Sequence, residues 1–359
     1  MPMFLFISGA VNNDNLAILL ASLAVWLMIR AVNSEQSIDY RSPSLWRWLL
    51  LGVVIGLALL TKEGTFALLP LAWGTIFVAR WRAMVQAMVR KNGRFSSYSQ
   101  LFKVLLQSIL YFALLLIPVI LIAGWWYWRN IQLYGDFLGW SAFIAVLGER
   151  ASPASLAQLW DERVGFMMAY WGLFGGVNIP MPLWIYTLLN GVVLASVVGF
   201  VVYFGQKLEN GKLVLSLPKG LKIAHGSWDL KSLLFTLLNF VVFQFGLIVC
   251  LLFAGAVVFG LIQWATTTWS SQGRLVFTAI SALSVLLVVG LVGWLPPKLA
   301  QWLVGALGVF MFVVAALAPW LWIQPAYAAP VYAHRQTRWA RNLAPNCGWW
   351  AMNWKKGLP

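Results

Sequence analysis

The stretch LFKVLLQSILYFALLLIPVILIAG occupies residues 101–124 and runs without a break into WWYWRN, residues 125–130. One charge, Lys103, stands in its 24 residues. About 20 apolar residues are needed to cross ~30 Å of hydrocarbon. Inside lipid the backbone has to satisfy its own hydrogen bonds, so such a run reads as a transmembrane helix. The tryptophans that end it sit where an aromatic belt marks the lipid–water boundary. Beyond them residues 125–180 form a long polar connection before the next apolar run. That connection holds Asp136, Glu149, Asp161 and Glu162, four of the ten acidic residues of the chain. It includes a short amphipathic piece, 138–147, and an aromatic-glycine patch, 170–176.

Similar runs recur on both sides. The expected spans are 15–32, 45–61, 65–79, 101–124, 181–204, 233–264, 275–294 and 299–323. The first is opened by the capping residues Asn12, Asn13 and Asp14. The turn Lys62-Glu63-Gly64 joins the second to the third, and Pro296-Pro297 closes the seventh. The run 233–264 is read as one helix despite its glycines, and the stub Phe4 to Val11 is too short to cross. With 61% hydrophobic and 10% charged residues and a mean hydropathy of +0.80, a soluble globular domain is excluded. Outer-membrane barrels need ~10-residue alternating strands, which the sequence lacks. The fold class is therefore all-α, a polytopic helical membrane bundle of about eight spans. It divides into a transmembrane domain, 1–324, and a polar tail, 325–359.

Charge sets the orientation. The formal net charge is +15, which in a soluble protein would point to nucleic acid. Here the basic residues gather in alternate connections: Arg30 to Arg47, Arg80 to Lys103, Lys207 to Lys231, and Lys298. Those connections hold 15 Lys and Arg against five in the opposite ones, the tail aside. Positive loops stay cytoplasmic. Both termini and the 125–180 connection are expected outside, with membrane lipid as the surrounding partner and no nucleic acid. Cys250 and Cys347 make no disulfide framework, and His225 and His334 are too scattered to bind metal together.

On the outer side the polar groups form a short set. Asp14 stands at the first span, Lys62 and Glu63 in the turn after the second, and Arg129 and Asp136 after the fourth. Gln272 and Arg274 precede the seventh. Lys62, Arg129 and Arg274 suit a phosphate, which arginine grips in bidentate fashion. A carboxylate, Asp14 or Glu63, suits orienting or deprotonating a hydroxyl. Glu63 adjoins Lys62, and a neighbouring cation weakens a carboxylate as a base. Asp14 is therefore the candidate catalytic residue. Asn13, Lys62, Glu63, Arg129, Asp136, Gln272 and Arg274 are candidate substrate-binding residues. A phosphate at the lipid boundary points to a polyprenyl-phosphate sugar as donor.

Several stretches resemble bacterial membrane glycosyltransferases of the dolichyl-phosphate-mannose protein mannosyltransferase type. They are GAVNND at 9–14, GLALLTK at 56–62 with LLP at 68–70, and WRN with LYGD at 128–130 and 133–136. YWGLFG at 170–175, SQGRLVF at 271–277 and PAY at 325–327 complete the series. The resemblance implies a GT-C fold and a lipid-phosphate-linked sugar donor. It also implies inverting transfer, with the active site at the outer interface. Cofactors beyond that donor, a divalent metal included, are not expected.

The segment at 271–277 lacks the tyrosine and proline of the family pattern. Members also begin with a cytoplasmic terminus, one span and a large acidic first outer loop. On that comparison a leading portion is expected to be missing, and the activity of these 359 residues alone to be poor. The expected function is a cell-envelope hexosyltransferase of the bacterial inner membrane. The rival readings are a transporter or flippase of a lipid-linked saccharide, for which no internal repeat is found, and a non-catalytic membrane scaffold.

Overall fold

The computed structural model describes residues 1–34, 45–90, 98–209, 237–238, 240–270 and 272–328. The expected basic loops around Arg41, Arg94 and Lys212, residues 233–236 of the sixth run, and the tail beyond Ala328 lie outside the described residues.

Helices dominate. A short α1 (Pro2–Ser8) precedes α2 (Asn13–Ser34), α3 (Leu45–Thr61) and α4 (Leu68–Arg90). Next comes α5 (Tyr98–Val119), which passes through a π-helical turn, Ile120–Gly124, into α6 (Trp125–Tyr134). Three short helices follow, α7 (Trp140–Leu147), α8 (Leu156–Asp161) and α9 (Arg163–Trp171), then the two-residue strands β1 (Leu173–Phe174) and β2 (Ile179–Pro180). The strands pair antiparallel, Leu173 opposite Pro180 and Phe174 opposite Ile179. The long helices α10 (Leu183–Glu209), α11 (Phe245–Thr267), α12 (Ile280–Val292) and α13 (Pro297–Ala318) complete the bundle. A 3-10 segment, Gly273–Ala279, leads into α12, and a second π turn, Pro319–Ile323, leads from α13 into α14 (Gln324–Ala328).

Among the described residues a helix overlaps each expected span. Six are long and apolar enough to cross a membrane: Asn13–Asn33, Ser99–Tyr134, Leu183–Gln206, Phe245–Thr267, Gly273–Val292 and Pro297–Ala328. Leu45–Thr61 is a shorter apolar helix. The protein is a multi-pass helical membrane protein.

The helix boundaries depart from the expected spans in instructive ways. The helix expected to end at Gly124 continues to Tyr134, so Arg129 lies on a helix and not in a loop. Pro118, inside α5, has no N–H to donate, and the chain absorbs the missing bond in the π turn that follows. Pro319 stands at the second π turn for the same reason. Helix α4 starts at Leu68, after a 3-10 turn at Glu63–Thr65, and runs eleven residues past Ala79. Hydropathy marks where lipid ends, while helical hydrogen bonding carries on into the interface. The run read as one helix over 233–264 has its break at Gln244 (φ −98°, ψ 15°), from which α11 extends to Thr267. The start expected at Leu275 is the 3-10 segment from Gly273.

Close helix approach relies on glycine. A Cβ on Gly52 of α3 would fall 2.3 Å from the Leu115 carbonyl oxygen, and one on Gly56 would fall 3.2 Å from Val119 Cα. Gly199 of α10 and Gly290 of α12 meet in the same manner: a Cβ on Gly199 would lie 2.1 Å from the Gly290 oxygen. Small residues let backbones touch, the main source of helix affinity where lipid offers no hydrophobic gain. Ser196 adds a bond across that second contact, its hydroxyl donating to the Leu287 carbonyl at 2.9 Å.

The 125–180 connection is tied to one end of the bundle. Its backbone N–H groups at Arg150 and Ala154 donate to the carbonyls of Thr267 (2.9 Å) and Thr266 (2.8 Å). The Arg150 side chain donates from Nε to the Thr268 carbonyl at 2.9 Å and from Nη2 to Glu162, also at 2.9 Å, and its guanidinium lies over the Trp269 ring. These donors satisfy the last carbonyls of α11, which have no partner within the helix. The buried arginine thus fastens the polar connection to the end of a span.

Candidate active site

The N-terminus of α2 and the turn after α3 meet at that same end. The sequence offers Asn12, Asn13 and Asp14 as caps for a helix from Asn15. In the fold the helix begins at Asn13, and the cap is Asn12, whose Oδ1 accepts the Asp14 N–H at 2.9 Å. Asp14 is thereby released from capping. Its side chain, buried in the first turn of α2, accepts a hydrogen bond from Lys62 Nζ in a partly buried ion pair. Asn12 Nδ2 also reaches Asp14 Oδ2, at 3.4 Å. The exposed Asn13 donates from Nδ2 to the Thr61 carbonyl at 3.3 Å, joining the two elements again.

The turn presents its two charged residues to different neighbours. Lys62 is extended (φ −158°, ψ 132°), and Glu63 opens the 3-10 turn. Thr65, fully buried, locks the turn by donating to the Lys62 carbonyl at 2.7 Å. Glu63 therefore turns away from the ion pair, and its Oε2 accepts the indole N–H of Trp140, the first residue of α7. This corrects the view of Glu63 as the carboxylate weakened by Lys62: the lysine's hydrogen bond and ion pair go to Asp14. Burial lifts the Glu63 carboxyl above its ordinary range; the indole hydrogen bond works against that rise, and the charge of Asp136 adds to it.

Asp136 caps α7. Its Oδ1 accepts the Leu138 N–H and its Oδ2 the Ser141 N–H, both at 3.0 Å, and these bonds hold its carboxyl below the usual range. Gly135 (φ +66°) ends α6 and Gly139 (φ +72°) precedes α7. Both adopt the left-handed backbone that glycine accepts without strain, and so the chain folds back over Glu63. An open groove of about 400 Å³ runs along α7, lined by Ser141, Ile144, Ala145, Gly148 and Glu149.

Asp14 and Lys62 are thus brought into direct contact, with Asn13 bonded to the adjoining Thr61 carbonyl, and Glu63 and Asp136 adjoin them through Trp140 and α7. Arg274 donates from Nε to Gln272 Oε1 at 2.7 Å, so these two act as a unit. The 3-10 segment that carries Arg274 packs against α2 and α9. Its Thr278 is buried with an unpartnered hydroxyl, and lies beside Gly64 of the turn. Arg129 is exposed on α6, its guanidinium 5.1 Å from the Trp126 ring centre, and makes no contact with the ion pair among the described residues. Among the described residues no three His, Cys, Asp or Glu side chains gather as a metal site.

Trp140 and Thr278 belong to this neighbourhood and carry no chemical signal in the sequence, whereas Asn12 is marked there only as one of three capping residues. Trp140 meets Glu63 across 77 residues. Its one local mark is its place at the head of an amphipathic segment.

Residues 1–92 match the family described as Dolichyl-phosphate-mannose-protein mannosyltransferase. The matched region contains Asn12, Asn13, Asp14, Lys62 and Glu63. That match covers 92 of the 359 residues and suggests membrane glycosyltransferase activity. No curated protein and no solved structure matches the chain.

Proposed function

We propose that this chain transfers a sugar from a polyprenyl-phosphate carrier to a hydroxyl acceptor outside the cytoplasm, in a bacterial inner membrane. The observation that supports this reading is the partly buried Asp14–Lys62 pair at the end of the bundle, inside the region that matches the mannosyltransferase family. A cation held half-buried by one carboxylate is poised for exchange. When a lipid phosphate arrives, Lys62 moves part of its charge onto the phosphate oxygens and Asp14 turns to a sugar or acceptor hydroxyl. Arg274, steadied by Gln272, adds a second cation with planar donor geometry. Asn13 supplies an amide for the sugar. Asp136 shapes the entrance by holding α7, and Arg129 steers the anionic headgroup from the interface.

Preorganised cations of this kind stabilise the negative charge that grows on the leaving phosphate, the step where electrostatics contributes most. Lys62→Ala and Arg274→Ala should each weaken binding of dolichyl-phosphate-mannose in nanodiscs at least tenfold while helical content is kept. Donor affinities equal to the parent in both variants would remove these residues from the site.

A further inference from the structure

We infer that Glu63 takes the proton of the attacking hydroxyl and that Trp140 is the positioning residue that aims it, an inference that rests on the transferase reading above. The turn after α3 separates two neighbouring charges by function. Lys62 reaches Asp14, so the Asp14 carboxylate is engaged by a cation. Glu63, one residue on, faces the other way. Its Oε2 takes the Trp140 indole N–H, which fixes the plane of the carboxylate. Its Oε1 has no hydrogen-bond partner among the described residues. One oxygen is anchored and the other is open, at a half-buried position next to the proposed phosphate ligand. Asp14 holds the cation while Glu63 keeps one oxygen open, so the two carboxylates have divided roles.

The groups facing Glu63 can be named element by element. From the 135–139 loop comes Asp136, whose negative charge acts on it. From α6 comes Tyr127, its hydroxyl committed to the Leu59 carbonyl at 2.7 Å. Lys62 and Asp14 lie beside it as a neutralised pair. Helix α11 contributes Trp264, which packs on Trp140 with ring centres 5.6 Å apart and carries no charge. In the step itself the acceptor oxygen bonds to the anomeric carbon and its proton passes to Glu63 Oε1. The bond from that carbon to the phosphate oxygen breaks. Polyprenyl phosphate leaves with the electron pair, its charge met by Lys62 and Arg274.

The pH dependence has a defined sign. Only ionised Glu63 accepts the proton, so turnover falls as pH drops through a value above the ordinary carboxylate range. The indole bond favours the ionised form, so Trp140→Phe should move this acid limb to higher pH. The Asp136 charge disfavours it, so Asp136→Asn should move the limb to lower pH.

The test uses the full chain in nanodiscs loaded with dolichyl-phosphate-mannose. Donor binding and mannose release to water are measured across pH, and ¹³C-carboxyl spectra of labelled glutamate follow Glu63. Glu63→Gln should bind donor within about twofold of the parent and lose roughly 100-fold or more of turnover, the scale of a general base. Glu63→Asp should recover part of the loss. The Glu63 signal, identified by its absence in Glu63→Gln, should titrate above the range of an exposed glutamate. The inference is overturned by turnover that survives Glu63→Gln, or by limbs that stay put or shift together. An ordinary titration of Glu63 overturns it too, as does a parent chain that binds donor and releases no mannose. A parent that does not bind donor at all overturns the transferase reading, and this inference with it.

Discussion

Two glycines on one helix should answer the same substitution with opposite signs. Gly199 and Gly191 both lie in α10. A Cβ on Gly199 would sit 2.1 Å from the Gly290 carbonyl oxygen and 2.4 Å from Trp294 Cδ1, whereas a Cβ on Gly191 meets nothing within 4 Å. Ordinary contact between such atoms begins at about 3.5 Å, so Gly199→Ala forces α10 and α12 apart by more than ~1 Å. Overpacking of this kind costs about 1–3 kcal/mol, and the neighbouring Ser196–Leu287 bond across the contact would lengthen with it. Gly191→Ala carries none of that cost and gains up to about 1 kcal/mol of helix propensity. The two alanines should therefore differ by about 1–4 kcal/mol, one destabilising and one neutral or stabilising. Unfolding with increasing SDS in mixed micelles, followed by circular dichroism and by labelling of the buried Cys250, reads the difference. Equal midpoints for the two variants would refute the close α10–α12 contact.

The Asp14–Lys62 pair should show strong coupling. Lys62→Met alone strands a buried carboxylate and should cost about 3–5 kcal/mol, and Asp14→Asn in the same chain should return most of it. Additive single effects in the double-mutant cycle would break the pair. Sidedness follows from basic residues in the sequence: reporter fusions at Arg94 and Lys212 should read cytoplasmic, and a fusion at Pro153 extracytoplasmic. A cytoplasmic signal at Pro153 would reverse the arrangement.

Of the stretches quoted for the family resemblance, those at 9–14, 56–62 and 68–70 fall within the matched region. The polar groups outside that region gain meaning through what they fasten. Arg150 closes the end of α11 and Asp136 closes the head of α7. Between them they hold Trp140 against the turn.

The sequence by itself determined where the long helices stand, because lipid demands about 20 apolar residues in an unbroken run and that demand is local. It also marked a short amphipathic piece at 138–147, within which the helix Trp140–Leu147 forms, and the polar residues at the helix ends. It did not determine where helices stop, since Tyr134 and Arg90 lie beyond the apolar runs and hydrogen bonding ignores that border. Nor did it determine partners. Asp14 and Lys62 are 48 residues apart, Glu63 and Trp140 77, and Arg150 and Thr268 118. Adjacency along the chain assigned Lys62 to Glu63. The tertiary structure assigned it to Asp14, because an extended residue followed by a 3-10 turn sends neighbouring side chains to different sides, and only the packing of α2 against α3 decides which carboxylate waits there.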